Sequence, residues 1–318
     1  MTFALLAGVA AFTTFALVDA AVSALIALAF RRAGSLLDRY SAASRSALLF
    51  RLRVAPAVVA GVLGFAIALP IFVTFEPFDT DEPVSRTLVA IACVGVGIVL
   101  HGVWRAATAW RATTRVSREW QRRGRRVEIP GVDPSLAVFA VDATFPTVAV
   151  VGLRRPVLFL AERVLAECSA DEVRAMIAHE CAHVDGYDNL KRLVLRACPD
   201  LLSRRSGVTR AWIAASEEAA DAAAASSRPG RALDLAQALI RVARLAPLAT
   251  PELASSFYPG GDIERRIRRL VDPVPAPDAP TMLGRAVVAS AAVAIVTVAV
   301  LFAPALHQLM EAVVRIVP

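Results

Sequence analysis

The chain has 318 residues, of which 57% are hydrophobic and 20% charged, and its net charge is +7. That apolar share is too high for a plain soluble enzyme. The positive charge does not read as nucleic-acid binding, because the arginines cluster beside apolar stretches and no recognition-helix, zinc-finger or aromatic single-strand pattern accompanies them. The four cysteines (Cys93, Cys168, Cys181, Cys198) lack pair spacing, so neither a disulfide framework nor a cysteine metal site is expected.

Residues 1–30 are apolar except for Asp19, residues 54–75 carry no charge, and residues 87–104 carry none up to Trp104. A fourth uncharged stretch covers 286–306. Each is near the roughly 20 residues a helix needs to cross the hydrocarbon core of a bilayer. No basic residue precedes the first stretch, so it is expected to be a retained span rather than a cleaved signal peptide. Asp19 is costly in lipid and is expected either to face other helices or a wet region, or to sit near an interface.

Flanking charge sets an expected orientation. Residues 31–53 carry Arg31, Arg32, Arg39, Arg45, Arg51 and Arg53 against one acid, Asp38. Residues 76–86 carry Glu76, Asp79, Asp81 and Glu82 against Arg86, and 105–126 return to eight arginines with one acid, Glu119. By the positive-inside rule the two basic segments are cytoplasmic and the acidic one external. Both termini then lie outside, and the lipid bilayer is a partner of the chain.

An arginine-rich helix is expected over roughly 104–123. Residues 127–129, 136–141, 147–151 and 157–160 are short β-branched and aromatic runs broken by Pro130-Gly131, Asp133-Pro134 and Gly152, which predict a small sheet. The segment 147–151 is a candidate exposed edge on which an extended protein or peptide substrate pairs as an added strand.

Next comes His179-Glu180-Cys181-Ala182-His183, holding two of the four histidines in the chain. Side chains four apart on a helix lie about 40° from each other, so both imidazoles face one point, where a zinc ion takes two ligands from one turn. Glu180 is placed to deprotonate a water there. Cys181 points away and reads as core packing. Ser169 and Glu172 have the form of a capping box at the helix start, and Gly186 is placed to end it.

A third ligand must come from elsewhere. His101 lies in or at the end of the third span and His307 follows the fourth, so a carboxylate is expected. An Ala-rich helix at 211–226 offers Glu217, Glu218 and Asp221. Glu217 and Asp221 are four apart, so one can reach the metal and the other a ligand histidine's free N–H; Glu218 lacks an acid four residues on, which favours Glu217. Asp272 to Pro280 is a Pro-rich linker.

The order of spans, an intervening HExxH segment and a last span resembles the BlaR/MecR-type membrane zinc peptidases. The local text that carries this is Gly152-Leu153-Arg154-Arg155-Pro156-Val157-Leu158-Phe159-Leu160, then Ile177 to His183, then Asp188. Glu217 to Asp221 is similar to the ExxxD of those enzymes and of HtpX-type peptidases, and 262–270 is loosely similar to their downstream Arg-Ile segment. The resemblance implies zinc on His179, His183 and Glu217, Glu180 as catalytic base and Asp221 as an orienting acid. The sensor-type members carry an external penicillin-binding domain after the last span, which is not expected here, so a signal would enter through the spans, a partner or the short external segments.

The resulting expectation is a mainly α integral membrane protein with about four transmembrane helices and a cytoplasmic α+β zincin-like metallopeptidase domain. Residues 1–104 form the membrane domain with spans at about 5–30, 54–75 and 87–104, and 105–271 form the peptidase domain. Residues 272–284 are the linker, and 285–318 are the fourth span and a short external tail. The expected activity is zinc-dependent endoproteolysis at the cytoplasmic face, with a transcriptional repressor as a candidate substrate. HtpX-like quality control and a non-catalytic signalling role are the alternatives. Arg266 is read either as an oxyanion donor or as a surface or lipid-headgroup arginine.

Overall fold

A computed structural model of the chain describes residues 3–75, 85–133, 136–143, 148–153, 155–198, 207–245, 260–273 and 275–278. The fourth apolar stretch with His307, most of the acidic segment 76–86, and part of the Pro-rich linker lie outside the described residues.

Among the described residues, three helical rods are long and apolar enough to cross a membrane: Phe3–Arg39, Ala42–Phe75 and Arg86–Arg123. The first is helix α1 (Phe3–Ala33) followed by a 3-10 turn, Gly34–Arg39. The second joins α2 (Ala42–Gly61), a π-helical segment (Val62–Ala68) and α3 (Leu69–Phe75). Pro70 has no N–H for its α-helical acceptor, and the ladder widens just before it, with Leu69 N–H donating to Gly64 O five residues back. Thus the segment expected as the basic connection 31–53 is helical except at Tyr40 and Ser41, and from Ala42 it is continuous with the apolar run beyond it.

The third rod is α4 (Arg86–Arg123), which merges the expected third span and the arginine-rich helix into one element. Ser85 caps it by accepting Thr87 N–H at 3.2 Å. Glycines let α1 approach its neighbours: a Cβ on Gly64 would sit 2.8 Å from Ala11 O, and one on Gly95 would sit 2.4 Å from Phe12 O. Backbones packed this closely leave room only for the smallest side chain. Asp19 on α1 is buried, at 1% exposure, as expected for an acid that faces protein rather than lipid.

Beyond α4 lies a four-stranded mixed sheet in the order β1-β2-β4-β3, formed by β1 (Arg125–Arg126), β2 (Ala137–Val141), β3 (Val148–Val151) and β4 (Val157–Ala161). β2 runs parallel to β4, and both outer strands are antiparallel to their neighbours. Three strands fall where the sequence predicts them. The first is displaced: pairing with β2 occurs at Arg125–Arg126, and 127–129 follow it outside the strand. Gly124 closes α4 and turns the chain directly into the sheet, so the pairing starts earlier than β-propensity suggests.

The remaining elements are α5 (Glu162–Glu167), α6 (Ala170–Asp185), α7 (Asp188–Ala197), α8 (Val208–Ser226), α9 (Arg231–Leu245) and α10 (Gly260–Val271). One core joins Leu158 and Leu160 of β4 to Val173, Met176 and Ile177 of α6 and to Leu235 and Leu239 of α9. Cys181 packs against that core, as its position on the helix predicts. A second cluster locks α8 to α2, with Trp212, Ala215 and Val208 against Leu49 and the partly buried Phe50. The fully buried Trp212 ring lies 6.3 Å from that of Phe50. Burial of each such large side chain contributes about 1.5–3 kcal/mol, which makes α2 part of the same packed unit as α8.

Candidate metal centre

α6 begins where the sequence places its capping box. Ser169 Oγ accepts Glu172 N–H at 3.2 Å and Glu172 Oε2 accepts Ser169 N–H at 2.6 Å, which satisfies two otherwise orphaned donors. Glu172 is buried and also meets the Arg241 guanidinium of α9 at 3.1 Å. With its start pinned and its apolar face sunk in the core, α6 fixes the direction of its next two turns. Gly186 caps the other end in a right-handed conformation, and the reversal is made by Tyr187, whose φ is 55°.

His179 and His183 lie one turn apart with ring centroids 4.8 Å from each other, and both are buried. Glu217 of α8 faces them: Nε2 of His179 is 3.5 Å from Glu217 Oε2, and Nε2 of His183 is 3.5 Å from Glu217 Oε1. The three could hold a metal ion, since one ligand atom from each lies within 4.8 Å of the others.

Both imidazoles are oriented from behind. Nδ1 of His179 lies 2.9 Å from Asp221 Oδ1, and Nδ1 of His183 lies 2.7 Å from Asp188 Oδ2. The hydrogen bond from Nδ1 of His183 to Asp188 selects the tautomer that leaves Nε2 free as a donor atom, an arrangement typical of metal-binding histidines, while Asp221 lies close to Nδ1 of His179 without hydrogen-bond geometry. Two buried histidines, each backed by an acid and both aimed at a third carboxylate, form a donor set suited to a divalent metal with nitrogen and oxygen ligands. The site fits such an ion, and the identity of the metal is not fixed by these contacts.

The electrostatics follow from this clustering. Burial opposes the charged form of His183, but Asp188 and Glu217 outweigh it and push its pKa up to about 9 in the metal-free site. His179 is likewise raised, with burial countered by Asp221 and Glu217. Burial opposes ionisation of Glu217, yet the two histidines hold its carboxyl well below the usual carboxylate range. Asp221 and Asp188 are also lowered against the effect of burial, the first mainly by Arg266 and the second mainly by His183.

Arg266 of α10 is buried, which overturns its reading as a surface or lipid-headgroup arginine. Its Nε and Nη2 donate to Asp221 Oδ2 and Oδ1 at 2.7 and 2.8 Å, and its Nη1 is 3.4 Å from Glu217 Oε2. This forked grip commits the guanidinium to the acid behind His179. Glu218 points away from the histidines and contacts Arg45, Arg265 and Arg269 instead. The choice of Glu217 over Glu218 as the acid facing the two histidines agrees with this geometry.

Glu180, between the histidines in sequence, extends toward the sheet. Its Oε2 accepts the backbone N–H of Val150 at 3.1 Å. β3 is an edge strand, as expected of 147–151, although Thr147 lies outside the described residues. The outer edge at Val150 is already engaged, since Asn189 Nδ2 donates to Val150 O and Gly152 O at 3.1 and 3.2 Å. Arg192, about half-exposed, adds a cation at Glu217, with Nη2 3.2 Å from Oε1. His101 stands apart, exposed on α4 and stacked on Trp104.

No protein-family model matches the chain, and a search of curated proteins finds no match.

Sequence reasoning singled out Asp188 only as part of a resemblance and passed over Asn189 and Arg192. The available signal for Asp188 was its place immediately after the Gly186-Tyr187 reversal, where the first turn of α7 folds back beside His183. Arg45 gave no local signal at all.

Proposed function

We propose that this protein is a membrane-embedded, zinc-dependent endopeptidase that cleaves protein substrates at the cytoplasmic face. The observation that carries the reading is the convergence of His179, His183 and Glu217, with Asp221 and Asp188 behind the two imidazoles and Glu180 on the same helix turn. The layout of apolar rods and the alternation of flanking charge support the membrane setting and its orientation. Likeness to the BlaR/MecR-type and HtpX-type peptidases supports the same reading through the HExxH and ExxxD text.

His179, His183 and Glu217 would hold the ion. When bound, a divalent zinc supplies Lewis-acid activation of water and of the scissile carbonyl. Glu180 takes the proton of the attacking water and returns it to the leaving amine. Asp221 and Asp188 keep Nδ1 of each histidine protonated, and Arg266 keeps Asp221 ionised and in place. The outer edge of β3 borders this site and offers an extended substrate a strand to pair with, in competition with the side chains of Glu180 and Asn189.

A repressor-type regulator is the proposed substrate class, and broad degradation of damaged membrane proteins is the rival within proteolysis. The test uses the full chain in detergent or nanodiscs. Wild type should contain zinc and cleave a mixed peptide library, whereas Glu180→Gln should retain the metal and lose cleavage. Unchanged cleavage in that variant removes Glu180 as the base, and metal-loaded wild type without cleavage of any peptide or of itself favours a non-catalytic role. Proteins trapped by Glu180→Gln then separate one regulator from a broad membrane set.

A further inference from the structure

Glu217 and Glu218 are neighbours on α8 but lie about 100° apart around its axis, so they serve different partners. Glu217 faces the two histidines. Glu218 is buried, and its carboxylate meets Arg45 of α2 together with Arg265 and Arg269 of α10. Arg45 is itself buried on α2 and makes a second contact with Asp38 at 2.8 Å. With its carboxylate gripped by guanidinium groups from two helices, Glu218 transmits a shift of those helices to its own backbone, and the preceding residue on that backbone is Glu217.

α2 is also the first part of the second apolar rod. Its start is tied to the segment leading toward the fourth apolar stretch: Ser41 N–H donates to Pro277 O at 3.0 Å, and the hydroxyls of Ser41 and Ser44 reach Asp278. Among the described residues, polar contacts join α2 to α8 at different heights. Arg53 Nε donates to Thr209 Oγ1 at 3.1 Å near the start of α8, while Arg45 reaches Glu218 beside the candidate ligand. Helices that respond to a signal typically shift by about 1–2 Å. Metal–ligand distances tolerate only about 0.2 Å. A displacement of α2 passed on through Arg45 is therefore large on the scale that matters at Glu217.

We propose that Arg45 is a positioning residue through which the second apolar rod sets Glu217 in the metal site, by way of Glu218. This rests on the metal-centre reading above and deepens it, because it names the route by which a change in the membrane alters the active site.

The test reads cobalt(II) binding to the full chain in nanodiscs, by visible absorption and by competition with a chelator, independently of any cleavage. Arg45→Gln should weaken cobalt binding about tenfold or more and change the absorption bands, as loss of a supporting contact does at other metal sites. Arg45→Lys, which keeps the charge, should recover most of the affinity. Arg53→Gln breaks the contact to Thr209, together with the bond to Cys198 O, and should stay within about twofold of wild type, well below the roughly 10–100-fold seen when a supporting contact is lost. Where Arg45→Gln does not accumulate, Glu218→Gln gives the same readout with the same expectation.

Wild-type affinity and bands in Arg45→Gln, or in Glu218→Gln where that replaces it, would overturn the proposal. So would an equal loss in Arg53→Gln, because helix docking in general would then be responsible. Failure of wild type to bind cobalt is a different result, which removes the metal centre itself.

Discussion

Glu180 Oε2 accepts the backbone N–H of Val150 at 3.1 Å, so the residue between the two histidines is bonded to the open edge of the sheet. Asn189 holds the carbonyl of the same valine. The edge strand and the HExxH turn are thereby one unit, and a peptide that pairs with β3 at Val150 must take over hydrogen bonds now made by these two side chains.

Replacing Glu180 with glutamine keeps an oxygen that can accept Val150 N–H but removes the basic carboxylate. Peptide cleavage should fall by about 10²–10⁴-fold, the usual contribution of a general acid-base group, with metal content unchanged. Metal analysis alongside a peptide assay checks both halves.

Asp188→Asn and Asp221→Asn should each lower metal affinity by about 10–100-fold, because each leaves one ligand imidazole without its orienting carboxylate. They should differ in stability. Asp221 is also the bidentate partner of buried Arg266, so its loss removes the two shortest contacts of a buried cation and costs stability that loss of Asp188 does not. Thermal unfolding of the metal-free variants separates the two, with Asp221→Asn the less stable.

Glu217→Gln and Glu218→Gln should fail in different ways. The first removes a candidate ligand, so metal content drops sharply. The second strips the carboxylate from beneath Arg45, Arg265 and Arg269, so stability falls and metal affinity drops about tenfold, less than the loss of a ligand. Equal metal loss in the two variants would remove the distinction between them.

Metal uptake should be pH-dependent. In the metal-free protein His183 has its pKa raised to about 9 from 6.5, so it is protonated at neutral pH and its proton must leave before the nitrogen can bind metal. The sign follows: apparent affinity strengthens as pH rises toward about 9 and weakens as pH falls below it. The same raised pKa stabilises the metal-free fold fully below about pH 6.5, a contribution lost as pH rises through about 9. Chelator competition and unfolding at several pH values test both trends.

Gly95→Ala should destabilise the helical bundle although alanine is the better helix former by about 1 kcal/mol, since its Cβ would lie 2.4 Å from Phe12 O. Gly97→Ala, on the same helix with nothing within 4 Å of the added carbon, should be neutral or stabilising. Unfolding in one detergent compares the pair directly.

The sequence by itself determined what depends on local periodicity. Apolar run length marked the three rods, the spacing of His179 and His183 put them on one helix face, and Ser169 with Glu172 marked where that helix begins. These are short-range properties, governed by helix geometry and by the first few backbone donors. Only the tertiary structure decided which charged groups meet. That Asp188 backs His183, that Arg266 grips Asp221 rather than lying at the surface, and that Arg45 holds Glu218 all depend on how α2, α7, α8 and α10 pack. An arginine in sequence carries its charge but not the address of its partner. That address is set by burial, which makes an unpaired charge so costly that packing and pairing are settled together.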